Sequence, residues 1–342
     1  MRTLVTGNLG YVGTITSSYL RNQGFDVVGL DSGFYKECLL SPVENEVFTN
    51  IKDIRDIEIK DFDGIEAVVH LAALSNDPIG ELDQALTFGI NYKGAVRVAE
   101  LAKSAGVKRF VFVSTQSIYG ISSTSEELDE DKSVKNPQTA YASSKWQAEQ
   151  EILAMSDSEF VATAVRPSTV FGWSPRLRSD IVFNNLLLTG LLRQRIEVHS
   201  DGTPWRPIVH VQDLARAIEI CIETEPSEVA SKSFNIGVIN GNFTVKELAE
   251  AAQKCLDGIP IVFKTENIAD PRSYKVSFQR AKRELNFEAK VGLNSGGAEI
   301  ISESAKLIRQ GIDLMDRKTN RLLQIKFLLD SGHIESNLRF KK

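Results

Sequence analysis

The sequence is poor in the residues that build metal sites and disulfide frameworks. Among its 342 residues are only three cysteines and four histidines. Cys38, Cys221 and Cys255 are far apart and match neither a zinc-binding spacing nor a disulfide pattern. His70 and His210 lie in or beside apolar strand patterns, where a core histidine is the simpler interpretation. We therefore expect no metal, and a reducing, cytoplasmic compartment.

Long apolar runs and blocks of positive charge are also missing. No apolar stretch approaches the roughly 20 residues of a membrane-spanning helix. Met1 is followed almost at once by the strand pattern "TLVTG", which leaves no room for a signal peptide. The net charge of -5 and the lack of a basic block argue against nucleic acid as a partner. We expect a globular protein that is neither inserted in a membrane nor bound to nucleic acid.

The first half of the chain alternates short apolar runs with helical patterns. Runs separated by helices are typical of βαβ units and a parallel sheet, which makes this an α/β protein. At 342 residues the chain exceeds the size of a single core, so a second, smaller lobe is expected. The strand candidates are "TLVT", "DVVGLD", "EVFTN", "EAVVHLAA", "RFVFVST" and "FVATAVRPS". The helix candidates are residues 10–23, 81–105 and 139–155.

A glycine-rich turn, "TGNLGYVG", follows the first strand candidate. Gly7, Gly10 and Gly13 would let the backbone turn tightly and let a diphosphate approach the start of the next helix. An ordinary glycine-rich turn is the alternative. Asp31 ends the second strand, at the distance from the glycines where an acid binds both ribose hydroxyls of NAD. We expect NAD rather than NADP, because the nearest following cation is Lys36.

Two further positions carry weaker signals. Asp53 follows the third strand, where the adenine of a dinucleotide would lie, but a helix cap is nearly as good an interpretation. In "YASSK", Tyr141 and Lys145 are four residues apart and share one face of a helix. A nearby ammonium would lower the pKa of the tyrosine and let it act as a base toward a substrate hydroxyl.

The motifs are specific in combination. "TGNLGYVG", Asp31, "HLAA", "STQSIYG", "YASSK" and "RPSTVFG" occur in that order. Together they resemble the extended short-chain dehydrogenase/reductase family, within it the NAD-dependent nucleotide-sugar epimerases and dehydratases. The resemblance covers essentially the whole chain, including "DGTPWRPIVHVQDLARAI".

The resemblance implies a Rossmann-type doubly wound parallel sheet with a smaller, mostly C-terminal substrate-binding lobe. We expect residues 1–167 and about 207–240 to form the NAD-binding domain, and about 168–206 and 241–342 the lobe. It also implies NAD that stays bound, a nucleotide diphosphate sugar as substrate, and a homodimer formed through residues 86–105 and 139–155.

The same resemblance assigns residue roles. Thr115 would hydrogen-bond the reacting sugar oxygen, Tyr141 would be the base, and Lys145 would lower its pKa and hold the nicotinamide ribose. Further cofactor contacts are expected from Leu9, Tyr11, Val12, Ile54, Leu71, Ala72, Ala73 and Pro167. Substrate contacts are expected from Ser75, Asn184 or Asn185, Arg206 and Arg272. Asn267 stands where the family usually has an arginine, and Arg176 and Arg178 lie in a loop near the expected cleft.

The absence of carboxylates after Thr115 limits the reaction. Dehydratases of this family carry an Asp-Glu pair there, and decarboxylating members keep a Glu two places after the threonine. Here the residues are Gln116 and Ser117, which cannot act as such an acid or base. A nucleotide-sugar epimerase is therefore the leading prediction, unless Asp77 or Glu81 supplies a relay acid.

Several alternatives to the epimerase stay open. A nucleotide keto-sugar reductase needs the same three side chains, and an atypical dehydratase needs a relay acid in addition. A non-catalytic NAD-binding regulatory protein is less favoured, because Thr115, Tyr141 and Lys145 are all retained.

Overall fold

The computed structural model describes residues 1–75, 77–122, 126–264 and 273–341. Within these ranges it contains a large parallel sheet and two small ones. The strands are β1 (Arg2–Thr6), β2 (Asp26–Asp31), β3 (Thr49–Ile51), β4 (Ala67–His70), β5 (Arg109–Val113), β6 (Val161–Pro167), β7 (Thr169–Phe171), β8 (Ile196–Val198), β9 (Trp205–His210), β10 (Ser233–Ile236), β11 (Asn242–Thr244) and β12 (Ile261–Phe263).

Helices flank the sheets. The α-helices are α1 (Tyr11–Asn22), α2 (Asp77–Gly80), α3 (Gln84–Phe88), α4 (Ala95–Ser104), α5 (Ala140–Ala154), α6 (Val182–Arg193), α7 (Val211–Glu223), α8 (Pro226–Val229), α9 (Val245–Cys255), α10 (Gln279–Leu285), α11 (Leu293–Arg309) and α12 (Arg321–Asp330). Short 3₁₀ turns span Lys36–Cys38, Ile54–Asp56, Ile59–Phe62 and Gln116–Tyr119, and a π-helical segment spans Gly89–Gly94.

The large sheet has seven parallel strands in the order β10-β6-β5-β4-β1-β2-β3. This is the predicted Rossmann-type arrangement. The strand order reverses between β1 and β4, and Thr6 at the end of β1 lies opposite both Leu30 and His70. The loops after β1, β2 and β4 therefore meet at one edge, where ligands bind in doubly wound sheets.

Both faces of this sheet are buried, which explains the nearly continuous apolar strands. On one face, residues of α4 and α5 such as Val98 and Ile152 pack with Phe110 of β5. On the other face, Leu20 of α1 and Ile218 of α7 pack with strand residues. The amphipathic patterns read from the sequence thus correspond to helices that cover the sheet.

The predicted helix over residues 81–105 is confirmed from Gln84 to Ser104, with a π-helical segment inside it. Asp83 caps α3 by accepting a hydrogen bond from the Leu86 N–H, and the π-helical segment separates α3 from α4. Inside that segment the buried Asn91 side chain bonds both the N–H and the carbonyl of Leu74. Because these bonds tie the helix to the loop after β4, the irregularity is set by a tertiary contact.

The smaller lobe is built from segments that are distant in sequence. Strands β11, β9 and β7 form one small sheet, and β12 and β8 form another. Its core combines α6, α9 and α11, with Leu187, Leu248 and Ile300 fully buried. The sequence pattern "IVHVQDLARAI" suggests a strand and helix that rejoin the main domain; α7 does so, but strand β9 belongs to the small three-stranded sheet.

The last helices pack on the Rossmann core. Leu285 of α10 belongs to one apolar cluster of the large sheet, and Ile325 and Leu328 of α12 belong to the other. The predicted domain boundaries stay a prediction, but these contacts set α10 and α12 apart from the lobe to which the sequence assigned them. The chain returns to the sheet after building the lobe, and sequence order alone does not show this return.

None of the described helices is both long enough and apolar enough to cross a membrane. Among the described residues, no group of three or more His, Cys, Asp or Glu side chains is arranged to hold a metal ion.

Candidate active site

A cleft of about 570 Å³ lies at the carboxyl edge of the large sheet and continues toward the small lobe. It gathers most of the predicted site residues, although they are spread over two hundred positions of the chain. Those that line it are Gly7, Gly10, Tyr11, Val12, Gly13, Asp31, Asp53, Ile54, Leu71, Ala72, Ala73, Ser75, Thr115, Tyr141, Lys145, Pro167, Asn185 and Arg206. Leu9 and Asn184 do not line it, and Arg272 lies outside the described residues.

The glycine turn leaves no room for side chains. Gly7 has φ +76°, and a Cβ there would lie 2.7 Å from the backbone nitrogen of Ala72. A Cβ on Gly13 would lie 2.1 Å from the Gly7 carbonyl oxygen. The backbone at the start of α1 is therefore open to the cleft, and its free N–H groups can receive a diphosphate.

Asp31 is oriented by backbone donors at the end of β2. Its carboxylate accepts hydrogen bonds from the N–H of Gly33 (2.7 Å) and of Leu9 (3.0 Å). Leu9 thus acts through its backbone, behind the acid. Burial raises the pKa of Asp31, while these hydrogen bonds and the charges of Arg176 and Arg321 lower it in part. Both arginines come from segments distant in sequence, so the distance to Lys36 along the chain did not reveal them.

Asp53 forms the helix cap that the sequence left as an alternative. Its side chain accepts a hydrogen bond from the Arg55 N–H at 2.8 Å and pairs with the Arg55 guanidinium at 2.6 Å. Burial raises the pKa of Asp53, but the hydrogen bonds from Arg55 outweigh it and hold that pKa below its usual range. The Asp53 carboxylate is therefore bound by the neighbouring Arg55. Asp53 and Ile54 still line the cleft, so their predicted contact with adenine stays a prediction.

The three predicted catalytic side chains come from two elements that meet in the cleft. Thr115 follows β5, where its hydroxyl accepts a hydrogen bond from the Ser117 N–H at 3.1 Å. The side chain of Thr139 caps α5, which sets Tyr141 in the first turn and Lys145 one turn later on the same face. All three side chains line the cleft.

Lys145 is the buried member of this group. Only 2% of the residue is exposed, and its Nζ lies 4.1 Å from the centre of the Phe112 ring. Burial lowers the pKa of Lys145 to about 7, although the nearby Glu149 carboxylate opposes the shift. An adjacent phenolate or ribose hydroxyl would favour the charged form of Lys145. Its protonation state can therefore change with the group that binds beside it.

The two histidines beside strands are core residues. His70 Nδ1 lies 2.9 Å from Thr6 Oγ1, and its ring stacks on Phe112. Burial, followed by the charge of Lys145, lowers the pKa of His70 to about 3, so it is neutral. His210 caps α7, and its Nε2 lies 3.1 Å from Glu299.

Gln116 and Ser117 face in different directions. Gln116 is buried, donating a hydrogen bond to the Arg166 carbonyl at 3.0 Å and accepting one from Ser168 Oγ at 3.2 Å. It joins the ends of β5 and β6 and does not line the cleft. Ser117 does line it. Of the two positions, only the one held by Ser117 could present a side chain to a substrate.

Glu81 is also engaged away from the cleft. Its carboxylate accepts hydrogen bonds from the Ala140 N–H at 3.0 Å and from Gln84 Nε2 at 2.8 Å. It thereby supports the start of α5, and it is not among the residues lining the cleft. The side chain of Asp77, the other predicted relay acid, lies outside the described part of the chain.

The two neighbouring asparagines of α6 have different surroundings. Asn184 is fully buried, accepts a hydrogen bond from the Gly172 N–H at 3.2 Å and donates one to the Arg178 carbonyl at 3.0 Å. Its polar groups therefore hold the backbone around α6, and its predicted substrate contact stays a prediction. Asn185 lines the cleft and donates to the Ser179 carbonyl at 2.8 Å.

The predicted arginines also differ. Arg206 lines the cleft and donates to the Trp205 carbonyl at 2.8 Å. Arg178 lines it too, with its guanidinium forked onto Asp180 through two bonds of 2.9 Å. Arg176 instead turns inward and donates to Thr14 Oγ1 at 3.1 Å. Arg272 and Asn267 lie outside the described residues.

Sequence reasoning missed three charged groups of the cleft: Asp180, which pairs with Arg178, and two groups from more distant segments. Arg321, at the start of α12, lines it although it lies far beyond the last recognised motif. Glu197 of β8 lines it as well, where hydrogen bonds from Lys264 and Arg195 lower the pKa of the carboxylate to about 2. Neither Arg321 nor Glu197 lies at a characteristic sequence distance from the motifs. Both reach the cleft only through the tertiary fold, so the sequence carried no signal for them.

Comparison with known proteins agrees with this geometry. The family model described as the NAD dependent epimerase/dehydratase family matches residues 3–237. That span includes the glycine turn, Asp31 and the Thr115, Tyr141 and Lys145 group. The chain belongs to the NAD-dependent epimerase/dehydratase family.

Relatives within this family are similar over most of their length. A UDP-glucuronic acid decarboxylase of Arabidopsis thaliana is 28% identical over 312 residues, covering 89% of this chain and 69% of that protein. A UDP-glucose 4-epimerase of Bacillus subtilis is 28% identical over 329 residues, covering 86% of this chain and 94% of the epimerase.

A solved structure extends the likeness to three dimensions. MoeE5 in complex with UDP-glucuronic acid and NAD is 28% identical and superimposes with a TM-score of 0.77, covering 91% of this chain and all of MoeE5. The present family member is accordingly an enzyme that uses NAD. Its relatives share this fold and cofactor but catalyse different reactions on UDP-sugars.

Proposed function

We propose that this family member is an NAD-dependent nucleotide-sugar 4-epimerase, and that UDP-sugars are its first candidate substrates. One observation carries the choice among the family's reactions. Thr115, Tyr141 and Lys145 line one cleft, whereas the neighbouring position that faces the same cleft carries Ser117 and no carboxylate. Epimerisation at C4 requires the three side chains and NAD, and no additional acid.

The cofactor site fits this proposal. The glycine turn would give backbone N–H groups to the diphosphate, Asp31 would offer its carboxylate to ribose, and buried Lys145 would lie at the nicotinamide end. When bound there, NAD would accept hydride from C4 of the sugar and return it.

The protein's own residues would move the proton. Tyr141 would take the proton of the C4 hydroxyl as the carbonyl forms and give it back after the sugar ring has turned over. Thr115 would hydrogen-bond the same oxygen and hold it beside the tyrosine. Charged Lys145 would stabilise the phenolate of Tyr141, because an adjacent ammonium favours the ionised form of a phenol.

The carboxylates of the cleft are engaged elsewhere. Among the described residues they are Asp31, Asp53, Asp180 and Glu197. Asp31 accepts backbone N–H groups, and the other three pair with arginine or lysine. A carboxylate held by cations has a lowered proton affinity and serves poorly as a general acid. This supports epimerisation over elimination of water or loss of carbon dioxide.

The test is a substrate panel in deuterated water. The protein would be incubated with UDP-glucose, UDP-galactose and UDP-glucuronic acid, and products followed by mass spectrometry and NMR. We expect an isomer of unchanged mass that carries no solvent deuterium on carbon, since the C4 hydrogen returns to the same carbon.

Other outcomes would contradict the proposal in recognisable ways. Loss of water indicates a dehydratase, and loss of carbon dioxide a decarboxylase. Deuterium at C3 or C5 indicates inversion next to a ketone. If none of these three sugars reacts, but a nucleotide keto sugar supplied with NADH is reduced, the protein is a reductase. If no sugar reacts under either condition, a regulatory NAD-binding protein is favoured. Tyr141→Phe is the matched control for each reaction.

We also propose that the enzyme is a homodimer formed through α4 and α5, as the resemblance to the family implies. Several side chains on the outer face of α5, such as Gln150 and Glu151, are exposed in the single chain and available to a partner. Light scattering after size exclusion would test this, with a monomeric mass contradicting it.

A further inference from the structure

The C-terminal helix α12 reaches the cofactor cleft from outside the matched family region. Asn320 caps the helix, and Gln324 Nε2 donates to the Phe34 carbonyl at 3.0 Å in the loop after β2. Ile325 and Leu328 are buried in the core of the nucleotide-binding sheet. The helix is thereby anchored beside the end of β2, with its first residue, Arg321, lining the cleft.

Arg321 is a buried cation whose hydrogen bonds within the described residues use only some of its N–H donors. It is 1% exposed, donates to the carbonyls of Arg176 (2.6 Å) and Lys318 (3.3 Å), and lies 4.6 Å over the Tyr35 ring. A guanidinium carries five N–H donors, so these two bonds do not exhaust it. Within the described residues no carboxylate forms an ion pair with it, although a buried cation normally has one.

The nearby carboxylates are engaged with other partners. Arg178, the other arginine that lines this part of the cleft, is paired with Asp180 through two hydrogen bonds. Asp31 accepts hydrogen bonds from the backbone N–H groups of Leu9 and Gly33. The charge of Arg176 is balanced by Asp31 and Glu46. Among the described residues, no carboxylate therefore neutralises the positive charge of Arg321 through an ion pair.

The position of Arg321 indicates which anion would balance that charge. Its guanidinium donates to the carbonyl of Arg176, whose own side chain donates to Thr14 Oγ1 in the first turn of α1. It also lies over the ring of Tyr35 in the loop after β2. Arg321 is thereby held near both the helix start that can receive a diphosphate and the loop that follows Asp31. The negative charge of NAD resides on the diphosphate between its two ribosides, and arginine suits phosphate oxygens through paired N–H groups.

We propose that Arg321 binds the diphosphate of NAD, so that the C-terminal helix supplies part of the cofactor site. The glycine turn and α1 provide neutral donors from one side, and Arg321 provides the charge from the other. The proposal concerns the cofactor, and it holds whichever sugar reaction the enzyme catalyses.

The test compares ligands that differ in the diphosphate. NAD, ADP-ribose and adenosine would be titrated calorimetrically into nucleotide-free enzyme, with adenosine measured by competition. Because a charge-assisted hydrogen bond is lost, Arg321→Met should weaken NAD and ADP-ribose by about 10- to 100-fold and leave adenosine unchanged. Arg321→Lys should give a smaller loss for the same two ligands, since it keeps the charge without the fork.

Arg317→Met is the matched control. Arg317 precedes α12, and its guanidinium also lies on an aromatic ring, 4.0 Å from Phe327, but it does not line the cleft. This variant should bind all three ligands as the unchanged protein does. Equal losses for NAD and adenosine in the Arg321 variants would overturn the proposal and make the residue a structural support.

Unchanged NAD affinity in Arg321→Met would also overturn the proposal. If Arg321→Met does not fold, as judged by circular dichroism and thermal unfolding, Arg321→Lys decides the question by the same comparison of ligands.

Discussion

At the scale of single residues, burial changes the pKa of Lys145. Its ammonium lies against the Phe112 ring in the floor of the cleft, and burial lowers its pKa to about 7. The neighbouring His70 is neutral and adds no competing charge. The protonation state of the lysine therefore depends on what occupies the cleft, which suits a residue that must stabilise a phenolate.

Removing the Tyr141 hydroxyl tests the catalytic assignment directly. Tyr141→Phe keeps the ring beside Gly80, where α2 lies close to the tyrosine Cβ, and removes only the proton-transferring group. We expect NAD to stay bound and turnover to fall by about 100- to 10,000-fold. Steady-state kinetics and the nucleotide content of the purified variant would be measured, and unchanged turnover would refute the role.

The pH dependence of stability tests the burial of Lys145. Its pKa is about 7 in the folded protein but about 10.4 in an unfolded chain, so between these values the unfolded chain binds the extra proton. The contribution of Lys145 to the free energy of unfolding therefore rises with pH in this window, is complete above it, and is lost as pH falls through 7.

Lys145→Met removes this contribution and provides the comparison. In nucleotide-free protein, the stability of the unchanged chain relative to the variant should rise by up to about 1.4 kcal/mol per pH unit between pH 7 and 9. Urea unfolding at several pH values would measure it. A difference that stays constant over this range would show that the lysine is solvated.

At the scale of elements, the turn from β1 into α1 depends on close backbone contact. Gly7 packs against Ala72 of the loop after β4, and Gly13 packs against Gly7 itself. These contacts hold three loops at one edge of the sheet. The turn therefore packs closely against neighbouring loops and also forms part of the predicted cofactor site. A substitution there should lower both the stability of the fold and the affinity for NAD.

Gly13→Ala tests this junction. Its Cβ would lie 2.1 Å from the Gly7 carbonyl oxygen, a backbone atom that cannot move without opening the turn. We expect a loss of about 1–3 kcal/mol of stability or more. NAD affinity should also fall, by at least about tenfold. Urea unfolding and NAD titration would measure the two effects.

Gly89→Ala is the control for that experiment. Gly89 is helical, and nothing lies within 4 Å of the position its Cβ would take. The variant should retain both NAD affinity and stability, because alanine favours helical backbone over glycine. Equal losses in the two variants would mean that glycine content, and not the packed turn, sets the effect.

At the scale of the whole molecule, the chain leaves the nucleotide-binding sheet, builds the small lobe, and returns. The apolar side of α12 closes the core that α4 and α5 begin, with Ile325 fully buried and Leu328 nearly so. The last residues continue the contact, as Phe340 stacks on Phe34 with ring centres 5.7 Å apart. The C-terminal segment thus belongs to the stability of the cofactor domain.

A pair of alanine substitutions on α12 tests this return. Ile325→Ala deletes a fully buried side chain and should cost about 2–5 kcal/mol of the free energy of unfolding. Leu323→Ala, on the same helix but 43% exposed, should cost roughly 1 kcal/mol or less. Chemical denaturation would measure both, and similar small costs would mean that α12 is not part of the core.

Much of the nucleotide-binding half could be predicted from the sequence, because its signals are local. Each strand candidate is a short apolar run that the sheet buries on both faces, and each turn motif follows its strand directly. Gly7, Asp31, Thr115, Tyr141 and Lys145 therefore lie in one cleft, as expected. Local pattern and parallel topology together bring strand ends to one edge.

Contacts between distant segments were decided only by the tertiary structure. Asn184 and Asn185 are neighbours in sequence, yet one holds buried backbone and the other lines the cleft. Gln116 and Ser117 divide in the same way. The direction of a polar side chain depends on which unpaired backbone group lies nearby, and that group comes from another part of the chain.

The charge around the cofactor cleft is a second property that sequence order hides. Arg176 and Arg321 act on Asp31, although they lie far from it along the chain. Electrostatic interaction depends on distance through space and on burial, and neither is readable from spacing. The sequence by itself determined the family and the sheet and predicted which side chains share the cleft; the tertiary structure alone decided which charges lie around that cleft and that α12 reaches it.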